Sequence, residues 1–452
     1  MARTRRALLA LAAIISLTPL AVRTPMAQAP ANHVVIISLD GFTARALDDP
    51  YLPLPALRRL IAGGAAAKSM RPVDPTVTWA NHTSMVTGVP PAKHGVIFNG
   101  LLVSKPGMPP VVEPWRDRSE MVHARTLYDA VHEKGMTTAQ VDWVAIWNAP
   151  TVTWEFREKP DVKETIPREM IAAGLVSEAD VAAFSAKNIV WRDEIWTSAA
   201  AFILKQHRPN LLMFHLLNLD STQHRYGPDT PAAVTAMTHL DAQVAKIVSA
   251  VDEAGMTART TFVIVSDHGF KTVKRQIRLN AAFAKSGLLK VQDGKVVSAE
   301  AYSVPEGGSA LVYVTVPDAS GDVLKRVKPI FDGIEGIDRV VEPSEYARYG
   351  LPLPSESNQM GAFFVLAKPG YAFTADVAGD VVIDAPLASL GSHGYVATDP
   401  ELQAIFIASG RGVKPGVHLD RIDNLDIAPT IARLLGVELS GVQGRVPTEI
   451  LR

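Results

Sequence analysis

The sequence predicts an α/β protein with a mostly parallel central sheet sandwiched between helices, and with an inserted α+β cap. Apolar, strand-like runs alternate with helical stretches along most of the chain, which is typical of parallel sheets. Several runs are continuously apolar, as expected for strands that helices cover on both faces. Three of them lead into an aspartate, at Asp40, Asp220 and Asp267. Because ligands gather at the carboxyl ends of such strands, these aspartates indicate a site at one edge of the sheet.

The core elements follow in chain order. His33 to Leu39 is predicted as a buried strand, and Pro55 to Ala62 as a helix that Gly63 and Gly64 end. Further helices are predicted at 81–87, 125–134, 177–186, 194–206, 231–254 and 425–435, and further strands at 137–142, 211–219, 260–266 and 402–409.

Residues 280–390 depart from this alternation. They carry short strands at 310–316 and 363–367, a helix at 323–331 and joins rich in proline, serine and glycine. We therefore expect a catalytic core formed by residues 30–279 and 391–452, with residues 280–390 inserted as the cap.

The first residues predict an export signal peptide at 1–29. Three arginines, Arg3, Arg5 and Arg6, precede an apolar stretch and a zone of small residues. A membrane anchor is the alternative, but the run falls short of the ~20 residues that span a bilayer. We expect an exported protein, periplasmic or secreted, without a stable membrane anchor. Both the general and the twin-arginine export routes stay open, as does the cleavage position.

Composition excludes several classes of protein. The chain has 452 residues, a net charge of −1 and no basic run beyond its N-terminus, so no nucleic-acid-binding surface is expected. It contains no cysteine, which excludes disulfides, thiolate metal ligands and a cysteine nucleophile. The oligomeric state stays open.

Three carboxylates and three imidazoles could fill two three-ligand metal sites. Taken singly, each has an ordinary interpretation, such as a turn aspartate or a loop histidine. Taken together, they place the ligands that zinc prefers in hydrolytic sites at the ends of separate strands. The candidate ligands are Asp40, Asp220, His224, Asp267, His268 and His393.

Thr78 is the candidate nucleophile, although Thr76 also offers a hydroxyl and both could be ordinary strand residues. A helix is expected to begin shortly after Thr78. Negative charge is stabilised at a helix N-terminus, and a metal there would lower the pKa of the hydroxyl. These two arguments favour Thr78.

These segments resemble the nucleotide pyrophosphatase/phosphodiesterase family of the alkaline phosphatase superfamily. The family's nucleophile motif is Thr-Phe-Pro-Asn-His, and residues 78–82 read Thr-Trp-Ala-Asn-His. The segments LDSTQHRYG, VSDHG and GSHGY match its other ligand segments. The resemblance covers residues 33–275 and 385–437 and implies an alkaline-phosphatase-like fold.

The resemblance also implies roles for single residues. One Zn²⁺ would be held by Asp220, His224 and His393. The other would be held by Asp40, Asp267 and His268, with Thr78 beside it. Asn99 matches the asparagine that binds a phosphoryl oxygen. Trp79 and Ala80 depart from the motif, so the substrate contact beside Thr78 differs; Trp79 either stacks on a nucleobase or is a core residue.

The expected function is hydrolysis of phosphodiester or nucleotide pyrophosphate bonds in a small-molecule substrate, through a phosphothreonine at Thr78. No arginine directly follows Thr78, which favours monoanionic diesters over dianionic monoesters. The alternatives are a phosphomonoesterase or phosphonate hydrolase of the same superfamily, and a non-catalytic binding protein on this fold.

Overall fold

A nine-stranded mixed sheet lies at the centre of the protein in the computed structural model, which describes residues 32–318 and 321–452. In spatial order the strands are β8-β2-β7-β6-β1-β5-β3-β4, with β9 also pairing with β2. Their bounds are β1 His33–Leu39, β2 Gly64–Arg71, β3 Thr138–Val141, β4 Trp154–Phe156, β5 Leu211–Leu216, β6 Thr260–Val265, β7 Ala404–Gly410, β8 Val417–Leu419 and β9 Ile422–Asp423.

Most strand pairs of this sheet are parallel, as predicted. Strand β1 pairs in parallel with β5 and with β6, and β3 pairs in parallel with β4 and β5. The exception is β7, which runs antiparallel to β2 and β6. The carboxyl ends of β1, β5 and β6 consequently lie side by side at one edge of the sheet.

Helices cover both faces of the sheet. Alternate residues of β1 belong to different core clusters: Val35 and Ile37 pack with Trp196 on one face, whereas Val34 and Ile36 pack with Leu127 on the other. This explains why the strand is apolar at nearly every position. The principal helices are α1 Pro55–Ala62, α2 Thr78–Thr87, α3 Leu127–Glu133, α4 Ile189–Gln206, α5 Asn218–Tyr226, α6 Pro231–Glu253 and α7 Ile427–Leu435.

Two predicted boundaries next to the candidate site are wrong. Helix α2 begins at Thr78 rather than at residue 81. Strand β5 ends at Leu216, and the leucines after it lead into α5. The carboxylate of Asp193 accepts hydrogen bonds from the backbone N–H groups of Leu217 and Asn218, both at 3.1 Å. This distant aspartate stops the strand, so the hydrophobic run alone could not show where it ends.

Strand β2 was not predicted from the sequence. Its first residues are glycine and three alanines, which have low strand propensity. It forms because it pairs with β7, β8 and β9 in the sheet. Tertiary pairing here outweighs the local preference of the residues.

The inserted region contains a separate antiparallel sheet, with the strand order Ala301–Pro305, Ser309–Val314, Phe363–Ala367 and Ile337–Val341. The helix Asp322–Asp332 packs on this sheet. Residues Asn32–Arg452 form one compact unit, so the cap boundaries at 280 and 390 stay a prediction.

The export signal expected at residues 1–29 lies outside the described residues. Within residues 32–318 and 321–452, no helix is long and apolar enough to span a bilayer.

Short elements complete the described chain. The short helices are Pro91–His94, Arg118–Met121, Thr165–Ala172, Glu178–Ala182 and Leu279–Lys285. The short strands are Leu101–Val103, Val111–Glu113, Lys271–Thr272, Arg275–Ile277, Leu289–Gln292, Lys295–Ala299, Tyr371–Phe373, Val382–Asp384 and Gly391–Ser392.

Candidate metal centre and substrate cleft

The predicted ligands meet at the edge of the sheet where β1 and β6 end. Asp40 follows β1, and Asp267 and His268 follow β6. Ligand atoms of these three residues all lie within 4.8 Å of one another. A second group, with its atoms equally close, consists of Asp220, His268 and His393. The structure thus brings two adjoining groups of carboxylates and imidazoles together.

The spacing of the facing atoms suits a divalent cation. Nε2 of His268 lies 3.2 Å from Oδ2 of Asp267 and 3.6 Å from Oδ1 of Asp40. Oδ1 of Asp220 lies 3.4 Å from Nε2 of His224 and 3.8 Å from Nε2 of His393. In a tetrahedral zinc site with bonds near 2.0–2.1 Å, neighbouring ligand atoms are about 3.3 Å apart.

The carboxylates turn bonded oxygens outwards and leave unbonded oxygens at the centre. Oδ1 of Asp267 accepts hydrogen bonds from the backbone N–H groups of Gly41 and His268, at 3.2 and 3.0 Å. The opposite oxygen of Asp267, Oδ1 of Asp40 and Oδ1 of Asp220 are buried without any hydrogen-bond donor. Buried polar atoms are normally paired, and a metal ion would pair all three.

The histidines are oriented in the way that metal ligands usually are. Nδ1 of His268, His224 and His393 donates to the backbone carbonyls of Gly269, Gly391 and Thr76, at 3.2, 3.3 and 2.9 Å. Each bond fixes the tautomer and leaves Nε2 as the available ligand atom. The residues present therefore fit two metal ions.

The electrostatics of the chain alone are unfavourable. Burial raises the pKa of the Asp40 carboxyl well above its usual range, and the charges of Asp267 and Asp220 raise it further. Burial, with a contribution from His224, lowers the pKa of His268 to about 3. Three buried carboxylates repel one another, and divalent cations would offset that repulsion.

His224 departs in part from the expected arrangement. The tight group around Asp220 contains His268 in its place. His224 still faces Asp220 from one turn further along α5, and its ring centroid lies 5.0 Å from that of His393. The rings of His268 and His393 stack with their centroids 3.9 Å apart. The two groups therefore adjoin each other, and His268 belongs to both.

Thr78 and Thr76 differ in what their hydroxyls do. The Thr76 side chain is fully buried, and its hydroxyl donates to the carbonyl of Tyr395 at 2.7 Å. Thr78 is the first residue of α2 and lines the same cleft as Asp220 and His393. Nδ1 of His82 donates to the Thr78 carbonyl at 2.8 Å and lies 3.7 Å from Oδ2 of Asp267. The hydroxyl available to a substrate is therefore that of Thr78.

Asn99 caps the start of the same helix. Its Oδ1 accepts a hydrogen bond from the backbone N–H of Trp79 at 3.0 Å. The amide group of Asn99 then remains as a donor, and Asn99 lines the cleft together with Thr78 and Trp79. Thr78, Trp79 and Asn99 thus line the same cleft.

Two further residues support the centre and were missed in the sequence. Nε2 of His215 donates to Oδ2 of Asp40 at 2.9 Å, and its Nδ1 lies 3.2 Å from Oδ2 of Asp142. Burial lowers the pKa of His215, but the hydrogen bonds and charges of Asp142 and Asp40 outweigh burial and raise it well above its usual range. The sequence feature that could have revealed His215 is that it is a lone polar residue in the otherwise apolar strand β5.

The inserted region contacts the loop that carries His393. The backbone N–H of Gly308 donates to the carbonyl of His393 at 2.7 Å. Gly394 has φ +83, and a Cβ there would overlap the carbonyl of Glu306. Only glycine combines this conformation with so close an approach. A turn of the inserted region therefore helps to position a predicted metal ligand.

The cleft above the centre has a volume of about 340 Å³, which is within the range for small-molecule sites. The far end of the cleft, where it meets a smaller adjoining pocket, contains Trp79, Trp115, Val144 and Glu158, which line both. Trp143 and Trp147 line the smaller adjoining pocket, whereas Trp154, Trp191 and Trp196 pack in or against the main core.

The comparisons with known proteins agree with this geometry. The family model "Type I phosphodiesterase / nucleotide pyrophosphatase" matches residues 34–396. Ectonucleotide pyrophosphatase/phosphodiesterase family member 1 of Homo sapiens is 23% identical over 430 residues, which cover 91% of this chain and 41% of that protein. Family member 7 of Homo sapiens is 23% identical over 448 residues, covering 98% of this chain and 88% of that protein.

Solved structures share the fold. Murine ectonucleotide pyrophosphatase/phosphodiesterase 5 superimposes with a TM-score of 0.71 and 16% identity, covering 93% of this chain and all of that one. An inactive variant of that murine protein, in complex with AMP, matches equally well. The chain spans about two-fifths of the length of the first curated relatives it matches. The fold and the family expected from the sequence are both confirmed: this chain belongs to the type I phosphodiesterase / nucleotide pyrophosphatase family.

Proposed function

We propose that this protein is an exported two-zinc hydrolase that cleaves phosphodiester or nucleotide pyrophosphate bonds through a phosphothreonine at Thr78. One observation carries the proposal. Thr78, at the N-terminus of a buried helix, lines the same cleft as Asp220, His224 and His393, and Oδ1 of Asp220 is buried there without a hydrogen-bond partner.

Two Zn²⁺ ions fit the donor set of three carboxylates and three imidazoles without thiolates. Asp40, Asp267 and His268 would hold one ion. Asp220, His224 and His393 would hold the other. His268 belongs to both groups of ligand atoms, which is compatible with two closely spaced metal ions. When bound, the ions would supply positive charge that favours an ionised threonine and stabilises the attacking and leaving oxygens.

Thr78 supplies the nucleophile. Its ionised Oγ1 attacks phosphorus in line, and the leaving ester oxygen departs opposite to it and takes up a proton. The phosphoryl group, still carrying its second ester, stays bonded to Thr78 until water cleaves the new bond and releases a phosphomonoester. The position of Thr78 in the first turn of α2 stabilises negative charge on its oxygen. Helix α2 is buried along its whole length, so water screens this effect only weakly.

Asn99 would bind a non-bridging phosphoryl oxygen. Its side-chain oxygen is engaged by the Trp79 N–H, so its NH₂ group is the part left to donate. A donor fixed in advance near the phosphoryl group stabilises the charge that develops there in the transition state.

The charges favour diesters. Two Zn²⁺ ions, three aspartates and an ionised threonine sum to about zero, which suits a substrate with one negative charge. Among the described residues that line the cleft there is no lysine or arginine to neutralise a second charge. A phosphomonoester is a dianion in neutral water and would bind less well.

A rate comparison tests the proposal. The purified protein should hydrolyse bis(p-nitrophenyl) phosphate and a p-nitrophenyl nucleotide ester with a higher kcat/KM than p-nitrophenyl phosphate. A preference for the monoester would instead identify a phosphomonoesterase. No turnover of any ester in the presence of zinc would identify a binding protein on this fold.

Export is tested separately. Residues 1–29 carry the proposed signal, so the mature protein should be recovered outside the cytoplasm with a shortened N-terminus. N-terminal sequencing of the recovered protein measures this directly. Recovery of the uncleaved chain from the cytoplasm would contradict it.

A further inference from the structure

Glu158 is a carboxylate without a partner in the wall of the cleft. It lines both the cleft above the metal centre and the smaller pocket beside it. No described residue forms a hydrogen bond or an ion pair with it. Burial, followed by the charge of Asp142, raises the pKa of Glu158 to about 7. The carboxylate is therefore available to a ligand that enters the cleft.

Several of the neighbouring polar groups already have partners. Asp142 faces His215. Gln140 accepts from the backbone N–H of Trp143 at 3.0 Å and donates to Glu155 at 3.2 Å. Arg157 pairs with Glu155 and Glu164 and lies over the ring of Trp147. Glu158 is therefore a free hydrogen-bonding group of this wall, together with Nε1 of Trp143 and Oδ1 of Asp142. In its ionised form Glu158 can only accept.

Flat aromatic surfaces border this acceptor. Trp79 and Trp115 line the cleft together with Glu158. The Trp115 ring is held by Lys159, 3.9 Å above it, and by an edge contact with Trp147 at 5.6 Å. Asp142 and Ala145 in the adjoining loop adopt positive φ values of 56° and 52°, which is costly for residues other than glycine. The wall is a built surface that suits a planar ring.

The Glu158 carboxylate determines which hydrogen-bonding edge of a nucleobase can pair with it. A carboxylate can accept from two parallel N–H donors at once, in the bidentate geometry that it also adopts with the fork of arginine. Among the common nucleobases, guanine presents two adjacent N–H donors, at N1 and N2. Adenine and cytosine place a ring acceptor beside a single amino group, and thymine and uracil flank one N–H with two carbonyls, which a carboxylate repels.

Resting on the proposed function, we infer that the cleft selects guanine nucleotide esters, with the base packed against Trp79 and Trp115 and its N1–H and N2–H donated to Glu158. The inference deepens the substrate assignment from diesters in general to one base. It assigns Glu158 a role in base specificity and none in the chemical step.

The test compares kcat/KM for p-nitrophenyl esters of guanosine, inosine, adenosine and thymidine 5′-monophosphates, with bis(p-nitrophenyl) phosphate alongside. Inosine is the decisive comparison because it lacks only the 2-amino group of guanine. The guanosine ester should exceed the inosine ester by roughly 10-fold, the usual effect of losing one hydrogen bond to a charged group. In Glu158→Gln this ratio should fall below about 2-fold, since an amide oxygen is a weaker acceptor and its NH₂ opposes the donors. Glu178→Gln, on an exposed helix residue, should keep the wild-type ratio.

The possible results distinguish a failure of guanine selection from a failure of the proposed diesterase activity. Equal rates for guanosine and inosine esters, or a p-nitrophenyl phosphocholine ester better than every nucleotide, would overturn the inference and leave the diesterase standing. Failure of the wild type to cleave any diester would overturn both. If Glu158→Gln does not fold, competitive inhibition of the wild type decides: GMP should bind roughly 10-fold more tightly than IMP, and equal inhibition would refute guanine selection.

Discussion

The two ends of the cleft are built in different ways. At the metal end, each side chain follows a strand or sits on a helix, and backbone groups fix its orientation: Gly41 holds Asp267, and Thr76 holds His393. At the far end, Trp115 and Glu158 come from irregular segments. Lys159 packs over the Trp115 ring, whereas Glu158 has no hydrogen-bond or ion-pair partner among the described residues. The positions of the side chains at the metal end are set by the backbone fold, whereas those at the far end are set by contacts with neighbouring side chains.

This difference separates chemistry from specificity. Moving a metal ligand requires moving the backbone of the sheet edge, so the chemistry should tolerate little change. Changing the far wall replaces one side chain by another without disturbing the sheet. Substitutions at the metal end should therefore lower the rate for every substrate, and substitutions at the far end should change which substrate is preferred.

Thr78→Ala is expected to have the largest effect. Removing the nucleophile should reduce kcat by about 10³-fold or more for all diesters, because no other hydroxyl replaces it. The metal content should stay unchanged. Single-turnover quench followed by mass spectrometry should find phosphate on the Thr78 peptide of the wild type.

Thr76→Ala is the matched control. It removes the hydrogen bond from this hydroxyl to Tyr395 and should lower the free energy of unfolding by about 1 kcal/mol. The carbonyl that holds His393 belongs to the backbone and survives, so most turnover should remain. A trapped phosphate on Thr76 would reverse the assignment.

Asn99→Asp tests the phosphoryl contact at the boundary between the two ends. The new carboxylate keeps an acceptor for the Trp79 N–H but replaces the donating amide with a negative charge. We expect kcat to fall by roughly 10²–10³-fold, with the melting temperature preserved. Wild-type kcat in this variant would show that Asn99 serves only as a helix cap.

Trp79→Ala is expected to have the smallest and most selective effect. If the indole stacks on a base, its loss should raise KM for the nucleotide ester by about 10-fold, since such stacking contributes ~1–3 kcal/mol. KM for bis(p-nitrophenyl) phosphate should change little. An equal rise for both esters would mean that Trp79 only shapes the cleft.

The same contrast explains what the sequence could predict. Asp40 and Asp267 directly follow continuous apolar strands, and a parallel sheet has only one edge where such strands end together, so their meeting could be predicted. His393 was a candidate ligand as an imidazole between glycines in a Gly-Ser-His-Gly segment, and the resemblance of this segment to the family motif implied which metal it would hold.

His215, Trp115 and Glu158 could not be found in this way. His215 lies inside a strand, where its side chain direction depends on register with β1. Trp115 and Glu158 reach the cleft from segments without periodicity, and they are placed by packing with residues distant in sequence. Strand β2 was missed for a similar reason, since its alanines become a strand only by pairing with β7.

The metal content of the purified protein tests the central claim most directly. Elemental analysis should find two zinc ions per chain in the wild type. Asp267→Ala should bind less zinc and lose activity, because the unpaired oxygen that faces His268 is removed. Prolonged chelation should abolish activity, and zinc should restore it. A wild-type protein that remains fully active after complete removal of metal would contradict the account.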